Sequence, residues 1–97
     1  ARERGVEMPV GNLVSTDNFY DVGSRTLEWG KMGVLAVEME AAALYCVAAS
    51  LGKRALALCS ISDHLLTGED LPPAERETTF TTMMEIALET AVRMEDR

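Results

Sequence analysis

Residues 34–61, VLAVEMEAAALYCVAASLGKRALALCSI, contain the pattern that decides the fold. Val34 to Val37 form a short apolar run. The alanine-rich segment from Met39 to Leu51 consists of strong helix formers and is closed by Gly52. Ala55 to Ile61 form a second continuous apolar run, which is typical of a strand covered on both faces. A strand, a helix and a strand in this order predict a parallel pair joined by a crossover, and hence an α/β fold.

Three further elements are predicted on the N-terminal side of this segment. Val10 to Val14 predict a short strand, and Asp21 to Lys31 predict a short helix that ends at Gly30 or Gly33. Residues 2–5, Arg-Glu-Arg-Gly, are typical of the last turn of a helix followed by a glycine stop. We therefore expect the chain to begin in the middle of an element and to be a fragment of something longer.

A long helix is predicted at the C-terminal end, from about Ala74 to Met94. Its apolar side chains recur at intervals of three and four residues, at Phe80, Met83, Met84, Ala87, Leu88 and Ala91. Pro73 fits the first turn of this helix. The chain is thus expected to form a single domain over residues 1–97, with a mixed sheet, flanking helices and a long C-terminal helix.

Length and composition restrict the class of protein. The 97 residues allow one core, and 47% hydrophobic with 26% charged residues are typical of a globular chain. A formal charge of −7 would repel a phosphate backbone, so no nucleic-acid partner is expected. Because no apolar run approaches the roughly 20 residues that span a bilayer, we expect no membrane partner and a cytoplasmic location. Cys46 and Cys59 lie in apolar stretches and are predicted to be buried free thiols.

Two carboxylates, Glu38 and Glu40, flank Met39 where the predicted strand becomes a helix. One interpretation is structural, because acidic side chains in the first turn of a helix complement its positive end, with Met39 as part of the core. The other is functional. The two oxygens of a carboxylate can each accept an O–H from neighbouring sugar hydroxyls, which predicts a ribose site.

Ser62, Asp63 and His64 directly follow the second apolar run. The C-terminal end of a parallel strand opens into the crevice that binds ligands in α/β sheets, which favours a functional site here. The alternative is that Ser62 or Asp63 starts a turn and that His64 faces solvent. A hydrolase triad is excluded because three consecutive residues cannot converge on one point.

Two other candidates are left open by the pattern alone. Arg76, between Glu75 and Glu77 at the start of the C-terminal helix, is either a surface ion-pair member or directed across the loop at Asp63. Phe19, with the neighbouring Tyr20, is either part of the core or a stacking surface for a planar base.

Three strings in the sequence occur together, in order and spacing, in one family: VGNLVSTDNFY from Val10, VEMEAAALY from Val37, and SISDH from Ser60 followed by AERETTF from Ala74. Over about residues 10–91 the chain resembles the bacterial purine nucleoside phosphorylases of the hexameric type. Related uridine phosphorylases and methylthioadenosine/S-adenosylhomocysteine nucleosidases share a VEMEA-like or SD-like piece, but not the AERxTTF helix start. The resemblance implies the C-terminal part of a nucleoside phosphorylase-type fold.

The resemblance also implies an activity in nucleoside metabolism and purine salvage. The enzyme would be a transferase, more narrowly a glycosyltransferase, that moves ribose or deoxyribose from a purine to phosphate. Glu40 would accept the 2′ and 3′ hydroxyls of the ribose, Met39 would pack under the sugar, and Glu38 would belong to the same nucleoside-binding segment. Phe19 would flank the purine, and Ser62 would lie beside it.

Asp63 would be the general acid that delivers a proton to purine N7, and Arg76 would assist it. Because a free aspartate is ionised at neutral pH, Asp63 must first take up a proton. We expect Arg76 to swing onto Asp63 as the proton leaves and to stabilise the new carboxylate. An acid that protonates N7 without contacting the substituent at position 6 of the purine would accept both 6-amino and 6-oxo purines.

The family binds phosphate through N-terminal residues and through a histidine and an arginine of a neighbouring subunit, and none of those positions falls in this chain. We therefore expect the isolated chain to be inactive and to expose apolar surface prone to association. The full-length protein would be a homohexamer with phosphate as co-substrate and no metal or organic cofactor. The alternatives are a nucleosidase or uridine phosphorylase of the same fold, or a non-catalytic oligomerising remnant.

Overall fold

The computed structural model of the chain describes residues 1–18, 23–65 and 67–95, except for the side chains of residues 23 and 24. It divides into two compact units. Residues 9–57 form the first, which we call the α/β unit. Residues 1–8 and 58–97 form the second, the α3 unit. The predicted α/β class, with a long C-terminal helix, is confirmed.

The α/β unit contains two parallel strands, β1 (Asn12–Ser15) and β2 (Val34–Glu38), with helix α1 (Gly23–Lys31) between them in the chain. The strand and the helix predicted before residue 34 are thereby confirmed with slightly shifted bounds. Helix α1 ends before Gly33, whose φ of 82° is the left-handed conformation that closes a helix at little cost for glycine. The sheet of the described residues is parallel, not mixed as predicted.

Helix α2 (Ala41–Ser50) begins directly after β2, as the sequence predicts. Its side chains are apolar on nearly every face, a composition typical of a helix that is covered all round. Ala41 is nevertheless its one buried residue, whereas Leu44, Tyr45 and Val47 are exposed. The chain therefore presents the apolar surface that was expected.

The prediction of a second strand at residues 55–61 is wrong. These residues belong to neither a helix nor a strand, and the side chains of Leu56 and Ile61 are 64% and 54% exposed. An apolar run becomes a buried strand only where neighbouring strands supply ladder hydrogen bonds and other layers cover its faces. Among the described residues the sheet consists of β1 and β2 alone. The backbone N–H of Ala57 donates instead to the hydroxyl of Tyr45, at 2.8 Å.

The prediction that the cysteines are buried is also wrong. Cys46, on α2, and Cys59, within residues 55–61, are both exposed. An apolar sequence context buries a thiol only where another layer of the chain covers it.

The α3 unit contains a 3₁₀ turn (Arg2–Arg4) and a long helix, α3 (Pro73–Glu95). The predicted C-terminal helix is confirmed, with Pro73 in its first turn, where its missing N–H costs no helical hydrogen bond. Ile86 is its buried residue, at 4% exposure. Within the described part of the chain, no helix is both long and apolar enough to cross a membrane.

Ion pairs at the surface join the 3₁₀ turn to α3. The guanidinium of Arg4 contacts the carboxylates of Glu85 and Glu89 at 2.7 and 3.0 Å, and Arg93 contacts Glu3 at 2.6 Å. The hydrogen bond from Arg93 holds the pKa of Glu3 below its ordinary value. These groups are exposed, so salt screens their attraction and their contribution to stability is small.

Candidate active site

Asp63 lies on a short hairpin whose described residues are 62–65 and 67–71. It forms an antiparallel bridge with Asp70, outside the parallel sheet. Next to the bridge, the backbone N–H of Leu71 donates to the carbonyl of Ser62, at 2.8 Å. The main chain around Asp63 is thus held by hydrogen bonds, although its side chain stays exposed.

The turn of this hairpin is organised around His64. The His64 N–H donates to the carbonyl of Glu69, and the Gly68 N–H donates to the carbonyl of His64, both at 2.7 Å. The Nδ1 atom of His64 accepts the N–H of Thr67 at 3.2 Å. The Ser62–His64 segment leads into a turn and His64 is exposed, as one of the two interpretations expected, while a functional role of Ser62 and Asp63 stays a prediction.

Arg76 connects the first turn of α3 to this hairpin. Its Nε donates to the carbonyl of Leu71 at 2.8 Å, and its Nη2 donates to Oδ1 of Asp63 at 3.2 Å. The interpretation that Arg76 is directed at Asp63 is therefore confirmed. The planar guanidinium makes both contacts at once, which a lysine ammonium on its flexible stem is less suited to do.

In the structure the side chains of Arg76 and Asp63 form an ion pair. The same guanidinium is also held by the Leu71 carbonyl. The expected movement of Arg76 onto Asp63 during the reaction stays a prediction. Within the described residues Oδ1 of Asp63 accepts the hydrogen bond from Arg76 and Oδ2 accepts none.

Two side chains cap the start of α2. Oε2 of Glu38 accepts the backbone N–H of Glu40 at 2.7 Å and that of Ala41 at 2.6 Å. Oγ of Ser15 accepts the N–H of Ala42 at 3.1 Å. Ser15 and Glu38 are neighbours because they are paired in the ladder of β1 and β2. The structural interpretation is thereby confirmed for Glu38, whose charge complements the positive end of a helix.

The environment of the Glu38 carboxylate favours its ionised form. Desolvation raises the pKa, but hydrogen bonds from the backbone of Glu40 and Ala41 and from the Ser15 side chain together outweigh it, so the pKa lies below its ordinary value of 4.5. Oε1 is buried and has no hydrogen-bond partner among the described residues. The ionised carboxylate is therefore turned into the protein and bonded to the backbone.

This cap predicts a pH dependence of stability. Because the pKa of Glu38 is lowered on folding, its contribution is fully present above the unfolded value near 4.5 and is lost as pH falls through the lower folded value. Replacement by glutamine removes the charge, so the difference in free energy of unfolding between wild type and Glu38→Gln should shrink as pH falls from 6 towards 3. Denaturant unfolding at several pH values measures it. A difference that stays constant over this range contradicts the assignment.

Met39 and Glu40 form the exposed part of the same turn. The backbone carbonyl of Glu40 accepts the N–H of Leu44 at 3.0 Å, in the first turn of α2. Its carboxylate, in contrast, makes no hydrogen bond or ion pair with the described residues. Of the two carboxylates in this segment, Glu40 is thus the one available to a ligand.

The predicted site residues fall into two groups. Ser62, Asp63 and Arg76 lie in the α3 unit, whereas residues 38–40 lie in the α/β unit. Phe19 lies outside the described residues, so its stacking role stays a prediction. The described residues contain no cluster of three or more His, Cys, Asp or Glu side chains suited to a metal ion.

Sequence reasoning missed two contributors to these groups. One is the hydroxyl of Ser15, which caps a helix that begins 26 positions later in the chain, so no local pattern marks it. The other is the backbone carbonyl of Leu71, which has no side-chain signature.

Comparison with known proteins places these features in a family. The model of the phosphorylase superfamily matches residues 1–94. The purine nucleoside phosphorylase DeoD-type of Geobacillus sp. (strain WCH70) is 50% identical over 92 residues, which are 95% of this chain and 39% of that protein. The protein of the same name from Clostridium beijerinckii is 50% identical over 97 residues, 99% of this chain and 41% of that protein. The resemblance inferred from the three strings is confirmed, and the chain spans about two fifths of the length of these curated relatives.

Proposed function

The chain belongs to the phosphorylase superfamily, and from this premise we propose that it is part of a purine nucleoside phosphorylase. The reaction is the reversible phosphorolysis of purine ribonucleosides and 2′-deoxyribonucleosides to the free base and (deoxy)ribose 1-phosphate. The observation that carries the proposal is the Asp63–Arg76 ion pair, because it joins an acid and a stabilising cation on restrained backbone. The names of the similar proteins support the same substrate class.

Asp63 acts on the base. The carboxylate first takes up a proton from solvent, which weakens its ion pair with Arg76. The carboxyl then donates this proton to purine N7 while the bond between N9 and C1′ breaks, and the electron pair of that bond stays on the base. The sugar passes through an oxocarbenium-like state, and a phosphate oxygen forms the new bond to C1′. Arg76 then stabilises the carboxylate that the transfer leaves behind. By resemblance, Ser62 lies beside the base and Phe19 flanks it.

Glu40 binds the sugar. Its carboxylate is exposed and unbonded within the described residues, so its two oxygens can accept the 2′ and 3′ hydroxyls. A 2′-deoxyribonucleoside keeps one of the two hydrogen bonds, which agrees with turnover of both sugar classes. Met39, exposed beside Glu40, packs under the ring.

Several parts of the proposal concern the complete protein. Phosphate is the co-substrate, no metal or organic cofactor is needed, and the working assembly is a cytoplasmic homohexamer. The phosphate-binding positions that the resemblance implies are not among these 97 residues. The isolated chain is accordingly inactive in phosphorolysis, and its exposed apolar residues promote association.

The test is the turnover of inosine by the complete protein with and without inorganic phosphate. Turnover should require phosphate and yield hypoxanthine and ribose 1-phosphate, and uridine should be cleaved far more slowly. Release of free ribose without phosphate indicates a nucleosidase instead, and a preference for uridine indicates a pyrimidine phosphorylase. If none of these substrates is cleaved, the chain is a non-catalytic remnant.

A further inference from the structure

We propose that Glu38 is a positioning residue of the sugar site, which acts through the backbone of Glu40 and makes no contact with the sugar itself. The inference rests on the proposed function of Glu40. It separates the roles of two carboxylates that stand one residue apart and that the sequence pattern does not distinguish.

The hydrogen bonds of Glu38 are made to the residue that it positions. Oε2 accepts the backbone N–H of Glu40 itself at 2.7 Å, and that of Ala41 at 2.6 Å. These distances are typical of hydrogen bonds that an ionised group strengthens. The carboxylate therefore fixes the backbone from which the Glu40 side chain projects.

The backbone of Glu38 is in turn fixed by the sheet. Its carbonyl accepts the N–H of Thr16 at 2.9 Å, and it is paired with Ser15 in the ladder of β1 and β2. Ser15 contributes a third cap, to the N–H of Ala42. The Met39–Glu40 turn is thus held on its N-terminal side by the β1–β2 ladder and on its C-terminal side by three capping hydrogen bonds at the start of α2.

Both oxygens of Glu38 are withdrawn from a ligand. Oε2 is committed to two backbone N–H groups, and Oε1 is buried. A hydroxyl that took Oε2 would leave N–H groups at the start of α2 without an acceptor, which is costly at a helix terminus. Glu40, exposed and unbonded among the described residues, has no such commitment. Of the two carboxylates, Glu40 is therefore the one that accepts the sugar hydroxyls.

The experiment is a double-mutant cycle in the complete protein, with Glu38→Ala and Glu40→Ala singly and together. The readout is the ratio of kcat/KM for inosine to that for 2′,3′-dideoxyinosine, which lacks both hydroxyls. Glu40→Ala should abolish most of this preference for inosine. Glu38→Ala should lower it about fivefold to tenfold, the size of a lost capping interaction, and by less than about twofold when Glu40 is already alanine.

Two further variants control for loss of structure. Glu38→Gln keeps an oxygen acceptor without the charge, so it should lower the preference for inosine less than Glu38→Ala does. It replaces Glu38→Ala in the cycle if the alanine variant does not fold. Ser15→Ala removes the cap on Ala42 and the Ser15 hydroxyl that helps to lower the pKa of Glu38, so it should lower the preference in the same direction as Glu38→Ala but by less.

The outcomes separate this inference from the proposed function. If Glu40→Ala leaves the preference intact, the sugar role of Glu40 is wrong. If Glu40→Ala abolishes it while Glu38→Ala and Glu38→Gln do not change it, only the positioning role is wrong. A loss on Glu38→Ala that persists undiminished in the Glu40→Ala background means that Glu38 contacts the sugar directly. An equal loss on both substrates means that Glu38 serves stability alone.

Discussion

Replacement of Asp63 by asparagine in the complete protein is expected to lower kcat for inosine by about 10²-fold to 10⁴-fold, the contribution of a positioned general acid. Asparagine has nearly the same shape, and its amide oxygen can still accept the hydrogen bond from Arg76. It has no acidic proton to give to the purine. Binding of the nucleoside should change little, so KM should stay within a few fold. Steady-state kinetics with saturating phosphate measure both constants.

Asp70 offers a matched control for this variant. It faces Asp63 across the bridge of the same hairpin and is equally exposed, but makes no ion pair with Arg76. Asp70→Asn removes the same charge from the same backbone and should leave kcat within about threefold. A change of less than threefold in Asp63→Asn would favour a non-catalytic remnant.

Replacement of Arg76 by alanine is expected to lower kcat by roughly 10²-fold, the usual cost of removing one preorganised donor from a reacting group. The variant loses the Nη2 contact that stabilises the Asp63 carboxylate and the Nε contact to the carbonyl of Leu71. Arg76→Lys keeps the charge but not the planar fork, so it should recover only part of the loss. Measured values of kcat for inosine compare the three proteins.

Arg93 provides the control for Arg76. It lies near the C-terminal end of α3 and pairs with Glu3 and Glu89 at the surface. Arg93→Ala should keep kcat within about twofold. If Arg76→Ala is no worse than Arg93→Ala, the ion pair with Asp63 has no catalytic role. Because Arg76 and Asp63 act as a unit, the double variant should be little slower than Asp63→Asn alone.

The elements that depend on local signals could be predicted from the sequence. Helix α2 follows from its run of helix formers, and α3 follows from its apolar periodicity with Pro73 in the first turn. The end of α1 follows from the need for glycine at the left-handed position 33. Each signal lies within a few residues of the feature that it specifies.

The elements that depend on distant partners could not be predicted in this way. Residues 55–61 have the composition of a buried strand, but a strand forms only where another strand accepts its hydrogen bonds, and composition does not reveal that partner. The exposure of Cys46 has the same origin, since an apolar surrounding in sequence predicts burial only if a covering layer exists.

The candidate site shows the same division. The pattern left Arg76 with two interpretations, the resemblance implied that it assists Asp63, and the structure has the two side chains at 3.2 Å. The sequence left both carboxylates of the VEME segment with two interpretations, because either one can cap a helix or bind a sugar. The structure distinguishes them by hydrogen bonds to backbone N–H groups, which no sequence pattern records.

Proton transfer from Asp63 to the base is tested most directly by comparing inosine with 7-methylinosine. A methyl group on N7 already makes the base cationic, so its departure needs no proton from the enzyme. Asp63→Asn should therefore lose about 10²-fold or more in kcat/KM on inosine, yet stay within about threefold of wild type on 7-methylinosine. Equal losses on the two nucleosides would contradict the transfer of a proton to N7.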